Sequence, residues 1–327
     1  MEQMRALYFD QTGEPGSVLQ LKKTAIPDPG PNEVRVRVLA SPINPSDYYF
    51  IQGTYRFKPE YPQTAGLEGV GIVDAAGEGV DLPTGAMAAF LYKEAWADYI
   101  IVPQNDLYML PTGFPVERTC PFILNPLTAW GLLEQSGVRA GDWLLLDAGN
   151  SAVARLVTQT AIRRGVKVIL VVRDIGYSRE LKELGASEVI AFDVDTLPGK
   201  ILELTEGKGV AAALDSIGGD YATALIKSLA PGGRMIICGR SGTGRGQFDN
   251  GDFVYKNISM RGFGIRGWMA GKTHDELEEI LRVMAVDFGD PGFRLETAAS
   301  FPPEEFREAL RADLEPGKKG KVVFSFR

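Results

Sequence analysis

The chain has few of the residues that bind metals or form disulfides. Its 327 residues include two cysteines, Cys120 and Cys238, and one histidine, His274. A small disulfide-stapled domain has more cysteines, and a structural zinc site uses four Cys or His ligands. These counts argue against both kinds of site and favour a reducing compartment. We therefore expect a cytoplasmic protein.

Long apolar runs and excess positive charge are also missing. No apolar run reaches the roughly 18–20 residues of a membrane span, and the N-terminus lacks the apolar segment and cleavage site of a signal peptide. Lys and Arg number 35 against 42 Asp and Glu, which gives a net charge of −7. Nucleic-acid-binding proteins normally carry a basic stripe. We therefore expect a soluble protein whose partner is a small-molecule substrate, and neither nucleic acid nor membrane.

Strand patterns dominate residues 1–120. One segment alternates polar and apolar side chains with period two, as a half-buried strand does: EVRVRVLASPI. Two further segments continue the pattern, with Gly and Pro between them: GVGIVDAAGEGV and WADYIIVP. These residues predict a compact β-rich domain.

Residues 121–265 instead alternate strands with helices. Continuous apolar runs such as DWLLLDA and VKVILVVR are separated by helical segments such as AVARLVTQTAIRRG. Further along we predict a helix DYATALIKSLA, a turn PGG and a strand RMIICG. Buried strands separated by helices indicate a parallel sheet covered on both faces, so this segment is predicted to be a doubly wound α/β domain. Residues 266–327, with two helices and a closing strand, are predicted to fold back onto the first domain.

The turn at residues 149–154 resembles a dinucleotide-binding turn that has lost glycines. The ideal G-x-G-x-x-G allows a tight turn, approach of a pyrophosphate and close packing of helix on strand. Gly149, Ser151 and Ala154 occupy those three positions, and the serine adds a hydroxyl suited to phosphate. The helix that follows offers free N–H groups at its start. The hexamer alone also fits a purely structural strand–turn–helix, but the strands on either side favour cofactor binding.

The second strand of this domain ends in Arg173 and Asp174. In NAD-binding folds an acidic side chain about 20 residues after the turn binds the ribose 2′-hydroxyl. Here a cation comes first, and a cation suits a 2′-phosphate. The pattern favours NADPH over NADH. The alternative is that Arg173 pairs with its neighbouring carboxylate.

The order of several motifs resembles one enzyme family across nearly the whole chain: SPINPSDYYFIQGTY, AGLEGVGIV, NPLTAW, GVKVILVVRD and GKVVF. The family is the medium-chain dehydrogenase/reductase superfamily, in its zinc-free branch of quinone oxidoreductases and enoyl thioester reductases. The resemblance implies a GroES-like barrel domain and a Rossmann domain with the active site in a cleft between them. It also implies a homodimer formed at the edge strand NISMRGFGI. Zinc-dependent members carry Cys and His where this chain has Ser46 and Leu67, so no zinc is expected.

The resemblance implies two catalytic candidates. Tyr55 matches a tyrosine that supports protonation or binds the thioester oxygen; alternatively it only lines the cleft. Asn44 orients the nicotinamide ribose or the substrate; alternatively it is a turn residue before proline. Tyr48, Tyr49 and Glu68 are predicted to be structural.

The predicted cofactor-binding set extends beyond the glycine turn. Asn125 in NPLTAW could instead be only a residue at the start of a helix. Lys321 could instead be a solvated cation near the end of the chain. Cys238 is not expected to act as a nucleophile, because no base is identifiable beside it. The full set is Asn125, Thr128, Gly149, Asn150, Ser151, Ala152, Val153, Ala154, Arg173, Asp174, Cys238, Gly239, Arg240, Phe263, Ile265 and Lys321.

The expected activity is NADPH-dependent transfer of hydride to the β-carbon of a conjugated acceptor, either an enoyl thioester or a quinone. Tyr55 favours the thioester, because a quinone can take its proton from water. An alternative of another class is an NADPH-binding redox sensor or structural protein on the same scaffold, since a fold does not prove chemistry.

Overall fold

The computed structural model describes residues 2–110, 123–290, 293, 297–315 and 317–326. The chain forms two compact units. The first comprises Met1–Leu124 together with His274–Arg327, and the second comprises Asn125–Thr273. The sequence placed the domain limits after residues 120 and 265, so the second unit begins and ends somewhat later in the chain.

Short strands make up most of the N-terminal part of the first unit. Its elements are β1 (Gln3–Phe9), α1 (Pro15–Val18), β2 (Gln20–Ala25), β3 (Glu33–Pro42), α2 (Pro45–Ile51), β4 (Gln63–Thr64), β5 (Gly69–Ala76), β6 (Met87–Phe90), β7 (Tyr99–Pro103), a 3₁₀ turn (Gln104–Asp106) and β8 (Leu107–Met109). A three-stranded sheet has the order β2-β1-β4.

The second unit alternates helices and strands. Its elements are α3 (Leu124–Ser136, whose first residue belongs to the first unit), β9 (Trp143–Leu146), α4 (Ala152–Arg163), β10 (Lys167–Val172), a 3₁₀ turn (Ile175–Tyr177), α5 (Ser178–Glu183), β11 (Glu188–Ala191), α6 (Leu197–Leu204), β12 (Val210–Asp215), α7 (Asp220–Lys227), β13 (Leu229–Ile237), α8 (Asn250–Lys256), β14 (Ser259–Gly262) and α9 (Ile265–Met269). The sheet order is β11-β10-β9-β12-β13-β14, and every neighbouring pair is parallel. This is the doubly wound Rossmann order, so the predicted fold of this unit is confirmed.

The C-terminal part completes the larger sheet of the first unit. Its elements are α10 (His274–Gly289), β15 (Thr297–Phe301), a 3₁₀ turn (Pro303–Glu305), α11 (Phe306–Leu314) and β16 (Lys321–Ser325). The sheet has the order β15-β16-β3-β5-β6-β8, with β7 also paired to β3. Its core includes Phe90, Trp96 and Phe324, all buried. The C-terminal strand thus lies directly beside β3, which leads into α2.

One segment of the second unit differs from the sequence prediction. The helix predicted as DYATALIKSLA ends at Lys227, and the predicted turn PGG lies inside β13. The Ser228 hydroxyl donates to the carbonyl of Ala224 over 2.8 Å and closes the helix early. The pairing of β12 with β13 shifts register between Val210 and Ala212, and this irregularity accommodates the glycines within the strand.

Within the described ranges, no helix is long and apolar enough to cross a bilayer.

Candidate functional site

Two buried carboxyl groups lie where the parallel sheet changes direction. Asp147 follows β9 and Asp215 ends β12, the two strands from which the two halves of the sheet run apart. Asp147 accepts hydrogen bonds from the backbone N–H of Ser216 (2.7 Å) and Ile217 (3.1 Å). Asp215 accepts from the N–H of Gly218 over 2.7 Å. The two carboxyls therefore fix the loop after β12, at the edge where open α/β sheets bind their ligands.

This carboxyl pair has an unusual proton affinity. Burial, together with the adjacent Asp215 carboxyl, raises the pKa of Asp147 to about 8. Two neighbouring buried carboxylates repel each other, so Asp147 keeps its proton at neutral pH. Sequence reasoning did not identify the pair, because 68 positions separate its two members. The only sequence signal was an aspartate at the end of each of two apolar strands.

The predicted glycine turn leads into α4 as expected. Ser151 is the N-cap of the helix, and its Oγ accepts from the N–H of Ala154 over 3.2 Å. A hydroxyl that accepts through its oxygen keeps its hydrogen for donation to an anion. The N–H groups of Ala152 and Val153 lie in the first turn, at the positive end of the helix dipole. The start of α4 therefore provides several donors to a phosphate.

Gly149 is required by close packing. A Cβ atom there would lie 2.8 Å from Leu170 Cβ and 3.0 Å from the carbonyl oxygen of Val171, both in β10. No larger residue fits without moving that strand. At the third position of the turn, Ala154 is only 3% exposed. Packing thus allows no side chain at Gly149, whereas the third position of the turn carries a small, buried alanine.

Asn150 is held by a buried arginine that the sequence analysis missed. Its Oδ1 accepts from Arg155 Nε (3.2 Å) and Nη2 (2.7 Å). Arg155 is 6% exposed and also pairs with Glu180 over 2.6 Å. This ion pair connects α4 to α5 and fixes the shape of the turn. Both Arg155 and Asn150 lie within one helical turn of Ser151.

At the end of β10, the cation Arg173 lies next to Asp174, which caps the following 3₁₀ turn. Asp174 accepts from the N–H of Gly176 over 2.8 Å. No ion pair joins Arg173 to Asp174 in the described part of the chain, so the alternative that these two neighbours simply pair is wrong. Arg173 is exposed, and its charge acts to lower the pKa of Tyr221, which burial raises. The Tyr221 ring stacks on Phe192, with centroids 3.5 Å apart.

The loop after β13 approaches the loop after β12 closely. The N–H of Cys238 donates to the carbonyl of Asp215 over 2.8 Å. A Cβ atom on Gly239 would lie 2.5 Å from the carbonyl oxygen of Ser216, so only glycine fits there. Burial raises the pKa of the Cys238 thiol to about 12, which leaves it protonated at neutral pH. Arg240 follows as an exposed cation.

Four further predicted residues lie on α3 or at or just before the start of α9. Asn125, in the first turn of α3, is 5% exposed, and its Nδ2 has no hydrogen-bond partner among the described residues. Thr128 follows one turn later on the same helix. The backbone N–H of Phe263 donates to the carbonyl of Ile237 over 2.7 Å. Its ring packs against Gly131, where an added Cβ atom would lie 2.7 Å from Phe263 Cζ. Ile265 begins α9.

The second unit fits a nicotinamide dinucleotide. The start of α4 supplies donors for a pyrophosphate, and Gly149 and Gly239 let backbone approach at the ligand edge of the sheet. Arg173 supplies a cation at the end of β10. The amide nitrogen of Asn125 is a buried donor without an acceptor among the described residues, so it is available to a ligand. These features are those that a bound dinucleotide uses.

The first unit contains a second buried polar cluster, around the start of α2. Asn44 Nδ2 donates to Glu68 Oε1 over 2.7 Å, and Glu68 Oε2 accepts from the N–H of Leu124 over 2.9 Å. The N–H of Asn44 donates to Asp47 Oδ2 over 2.7 Å. Asn44, Asp47 and Glu68 are all 1% exposed or less. We call Asn44, Asp47, Glu68 and Lys321 the α2 cluster.

Lys321 supplies the positive charge of the α2 cluster. Its Nζ donates to the carbonyl of Ile43 over 2.9 Å, and the residue is 8% exposed. The alternative that Lys321 is a solvated basic end is therefore wrong. Burial raises the pKa of Asp47 to about 8 and that of Glu68 to about 7, while Lys321 acts to lower both. Burial lowers the pKa of Lys321 itself. Its predicted contact with the cofactor stays a prediction.

Tyr55 stands in a turn tied to the end of α2. Its N–H donates to the carbonyl of Tyr49 over 2.9 Å. Its ring lies edge-on to Phe57, with centroids 5.0 Å apart, and packs at the border of the core. Gly53, with φ of 70°, makes this turn possible. Tyr48 donates to the carbonyl of Leu310 over 3.4 Å and packs against the core, as a structural residue does.

Within the described ranges, no group of three or more His, Cys, Asp and Glu side chains is arranged to hold a metal ion. Ser46, at the position where zinc-dependent relatives carry cysteine, has a buried hydroxyl without a hydrogen-bond partner.

Comparison with known proteins supports the same family at the level of sequence and fold. The family model described as the alcohol dehydrogenase GroES-like domain matches residues 30–112, and the one described as zinc-binding dehydrogenase matches residues 152–285. The mitochondrial enoyl-[acyl-carrier-protein] reductase of Xenopus tropicalis is 31% identical over 86% of this chain and 82% of its own length.

Solved structures agree over the whole chain. A putative NADPH:quinone reductase from Bacillus thuringiensis is 28% identical, covers 99% of both chains and superposes with a TM-score of 0.93. A mycobacterial protein complexed with NADPH is 26% identical, covers 98% of this chain and 99% of its own, and has a TM-score of 0.88. The chain therefore belongs to the medium-chain dehydrogenase/reductase superfamily, in the branch of quinone oxidoreductases and enoyl thioester reductases.

Proposed function

We propose that the chain is an NADPH-dependent reductase of conjugated acceptors, with an enoyl thioester as the favoured substrate. The family assignment makes it an oxidoreductase that uses a nicotinamide coenzyme. The observation that carries the finer proposal is Tyr55, which stands on a turn fixed by α2 and Gly53 in a chain similar over most of its length to enoyl-[acyl-carrier-protein] reductases.

The coenzyme, when bound, supplies a hydride to the β-carbon of the acceptor. The start of α4 and Ser151 hold its pyrophosphate, and Asn125 donates its free amide N–H. Tyr55 donates a hydrogen bond to the thioester oxygen as negative charge develops there, or supplies the proton at the α-carbon. Donors aimed at a developing oxyanion are commonly the largest single contribution to such catalysis.

Arg173 supports NADPH over NADH. It is exposed at the end of β10, where the second strand of a Rossmann fold meets the adenosine ribose, and Asp174 is engaged by the N–H of Gly176. A cation that is not tied to the neighbouring carboxylate suits a 2′-phosphate. We expect a lower Kd for NADPH than for NADH when the purified protein is titrated with each.

A quinone is the second candidate substrate, favoured by the TM-score of 0.93 with a structure described as a putative NADPH:quinone reductase. The two substrates place different demands on Tyr55. A reduced quinone takes its protons from water, whereas a thioester enolate benefits from a fixed donor.

Replacing Tyr55 tests the proposal. We expect Tyr55→Phe to lower kcat with crotonyl thioester about 100-fold and to leave the Kd for NADPH unchanged. Turnover of a simple quinone should be unaffected. Tyr49→Phe, in the helix that supports the turn, is the matched control and should retain thioester activity. Equal thioester turnover by wild type and Tyr55→Phe would remove Tyr55 from the mechanism.

A coenzyme-binding protein without catalysis gives a different pattern. It would bind NADPH, yet it would oxidise the coenzyme with neither crotonyl thioester nor quinone. Saturable binding without turnover on either acceptor would therefore support a redox sensor or structural role, and absence of binding would contradict the whole proposal.

The edge strand β14 supports a homodimer. It ends the parallel sheet, and all four of its residues are exposed, including Met260 at 41%. Unpaired edge strands bind readily to a second strand. We propose pairing of β14 with that of a second copy, which the molar mass in solution would test. A cytoplasmic location stays a prediction.

A further inference from the structure

The side chain of Asn44 is held in one orientation by Glu68. Its Nδ2 donates to Glu68 Oε1 over 2.7 Å, and Glu68 Oε2 accepts from the N–H of Leu124 over 2.9 Å. The hydroxyl of Ser41 donates to the backbone carbonyl of Glu68 and fixes the residue further. Both oxygens of Glu68 accept hydrogen bonds, one from Asn44 and one from Leu124, so the group that Asn44 presents to Glu68 is its amide nitrogen.

The amide oxygen of Asn44 is left without a partner. Asn44 Oδ1 is buried at the N-cap of α2 and forms no hydrogen bond of normal geometry within the described residues, while the backbone N–H of the same residue donates to Asp47. An unpaired buried oxygen costs free energy until a donor reaches it. The residue is therefore prepared to accept a hydrogen bond and has no donor left to give.

This polarity distinguishes between the two ligands of the reaction. The carbonyl oxygen of a conjugated acceptor is itself a hydrogen-bond acceptor and gains negative charge as hydride arrives, so the oxygen of Asn44 would repel it. The nicotinamide half of the coenzyme carries donors instead, on the ribose hydroxyls and on the carboxamide N–H. Asn44 is thus complementary to the coenzyme.

We propose that Glu68 is a positioning residue that holds Asn44 with its amide oxygen as acceptor for a donor on the nicotinamide half of the coenzyme. Burial raises the pKa of Glu68 to about 7, and the charge of Lys321 acts in the opposite direction, toward the ionised form. The inference rests on the proposed function only in requiring that the chain bind a nicotinamide coenzyme. Of the two ligands that Asn44 was predicted to orient, it selects the coenzyme and not the substrate.

Replacing Glu68 by glutamine should reverse the orientation of the side-chain amide of Asn44. The new side chain has one acceptor and one donor, and the N–H of Leu124 requires the acceptor. Its NH₂ group then faces Asn44, which must turn its own oxygen inward to accept. We expect Glu68→Gln to raise the Kd for NADPH about tenfold, the loss of one hydrogen bond, with little change in kcat. Tryptophan or coenzyme fluorescence titration measures this without turnover.

A double variant restores the acceptor. In Asn44→Asp combined with Glu68→Gln, the introduced carboxylate accepts from the introduced amide through one oxygen and keeps the other oxygen free. The net charge of the α2 cluster is unchanged. We expect the Kd for NADPH to return to within about threefold of wild type. A purely structural role for Glu68 predicts no such rescue.

Asp47→Asn is the matched control. It alters an equally buried carboxyl in the same cluster and leaves the Asn44 amide untouched, so it should shift Tm and leave the Kd for NADPH unchanged. The inference is overturned if Glu68→Gln binds NADPH as tightly as wild type, if its defect lies in kcat alone, or if the double variant is no tighter than the single one. Failure of wild type to bind any coenzyme would instead contradict the proposed function.

Coenzyme analogues test the inference should Glu68→Gln not fold. Wild type is titrated with the 3-acetylpyridine analogue, which lacks the carboxamide N–H, and with an analogue that lacks the nicotinamide ribose hydroxyls. We expect at least one of them to bind about tenfold more weakly than NADPH. Equal affinity for all three would show that no such donor is recognised and would overturn the inference.

Discussion

The two units bury acidic side chains in different ways. In the α2 cluster of the first unit, Asp47 and Glu68 each accept from a backbone N–H, and the charge of Lys321 acts to lower the pKa of both. In the second unit, Asp147 and Asp215 receive backbone N–H groups, and the charge acting most strongly on Asp147 is the other carboxyl. In the first unit a nearby cation opposes the rise in carboxyl pKa that burial causes, whereas in the second unit the neighbouring carboxyl adds to that rise.

This difference predicts opposite signs for neutralising substitutions. A carboxylate that relies on a buried cation is left uncompensated when the cation is removed. A carboxyl that is forced against another carboxyl gains when one of the two becomes a neutral amide. The following predictions are arranged from the largest expected effect to the smallest.

Removing the cation of the α2 cluster should have the largest effect. Lys321→Met retains the length of the side chain but removes the hydrogen bond to the buried carbonyl of Ile43 and the charge that opposes the raised pKa of Glu68. We expect the free energy of unfolding to fall by about 3 kcal/mol in urea denaturation at pH 7. Lys23→Met, at an exposed lysine of β2, is the control and should change it by less than about 0.5 kcal/mol. An unchanged urea midpoint for Lys321→Met would show that the cluster does not depend on this charge.

The turn of the second unit depends on steric fit. In Gly149→Ala the new Cβ would meet Leu170 Cβ at 2.8 Å and the Val171 carbonyl at 3.0 Å. We expect a loss of about 2 kcal/mol in the free energy of unfolding and weaker binding of NADPH, because the turn must move off β10. Gly199→Ala, in α6 with nothing within 4 Å, is the matched control and should be neutral or slightly stabilising. A fully stable Gly149→Ala would contradict the packing argument.

The carboxyl pair should make stability depend on pH. The pKa of Asp147 is about 8 in the folded protein against an ordinary 3.8, so the folded state binds the extra proton between these values. Stability from this pair therefore falls as pH rises from about 4 to 8. Asp147→Asn keeps an acceptor for Ser216 and gives Asp215 a donor, so it should be about 1 kcal/mol more stable than wild type at pH 8 and show no gain at pH 4.

The second carboxyl provides an internal check on that prediction. Because the Asp215 carboxyl is one cause of the raised pKa of Asp147, Asp215→Asn should also flatten the dependence of Tm on pH between 4 and 8. Asp142→Asn, before β9 and outside the pair, should retain the wild-type dependence. If Tm depends as steeply on pH in both Asp147→Asn and Asp215→Asn as in wild type, the carboxyl pair is not the cause of that dependence.

The sequence predicted the elements with strong periodicity. The strands β9 and β10 and the helix α4 were identified to within two residues, because buried apolar runs and an amphipathic helix leave a clear pattern. The segment PGG was misjudged, because glycines that usually mark a turn lie here in a strand with shifted register. Local signals do not reveal how a strand pairs with its neighbour.

The partners of the site residues were the least predictable. Asn44 was identified through its motif, but its orientation depends on Glu68, 24 positions away, and the cluster is completed by Lys321 near the other end of the chain. Arg155 lay in an apparently ordinary amphipathic helix, although it fixes Asn150 of the turn. Contacts between distant residues arise from the packing of the fold, so a single sequence does not encode them as a local pattern.

The protonated state of Cys238 has a consequence for an enzyme of this branch. Enones and quinones are soft electrophiles, and thiolates add to them by conjugate addition. With a pKa of about 12, the sulfur of Cys238 is almost entirely in the unreactive thiol form, held by Ser216 and the carbonyl of Asp215. The ligand edge of the sheet thus carries a sulfur that is protected from self-alkylation by the very compounds that such an enzyme would reduce.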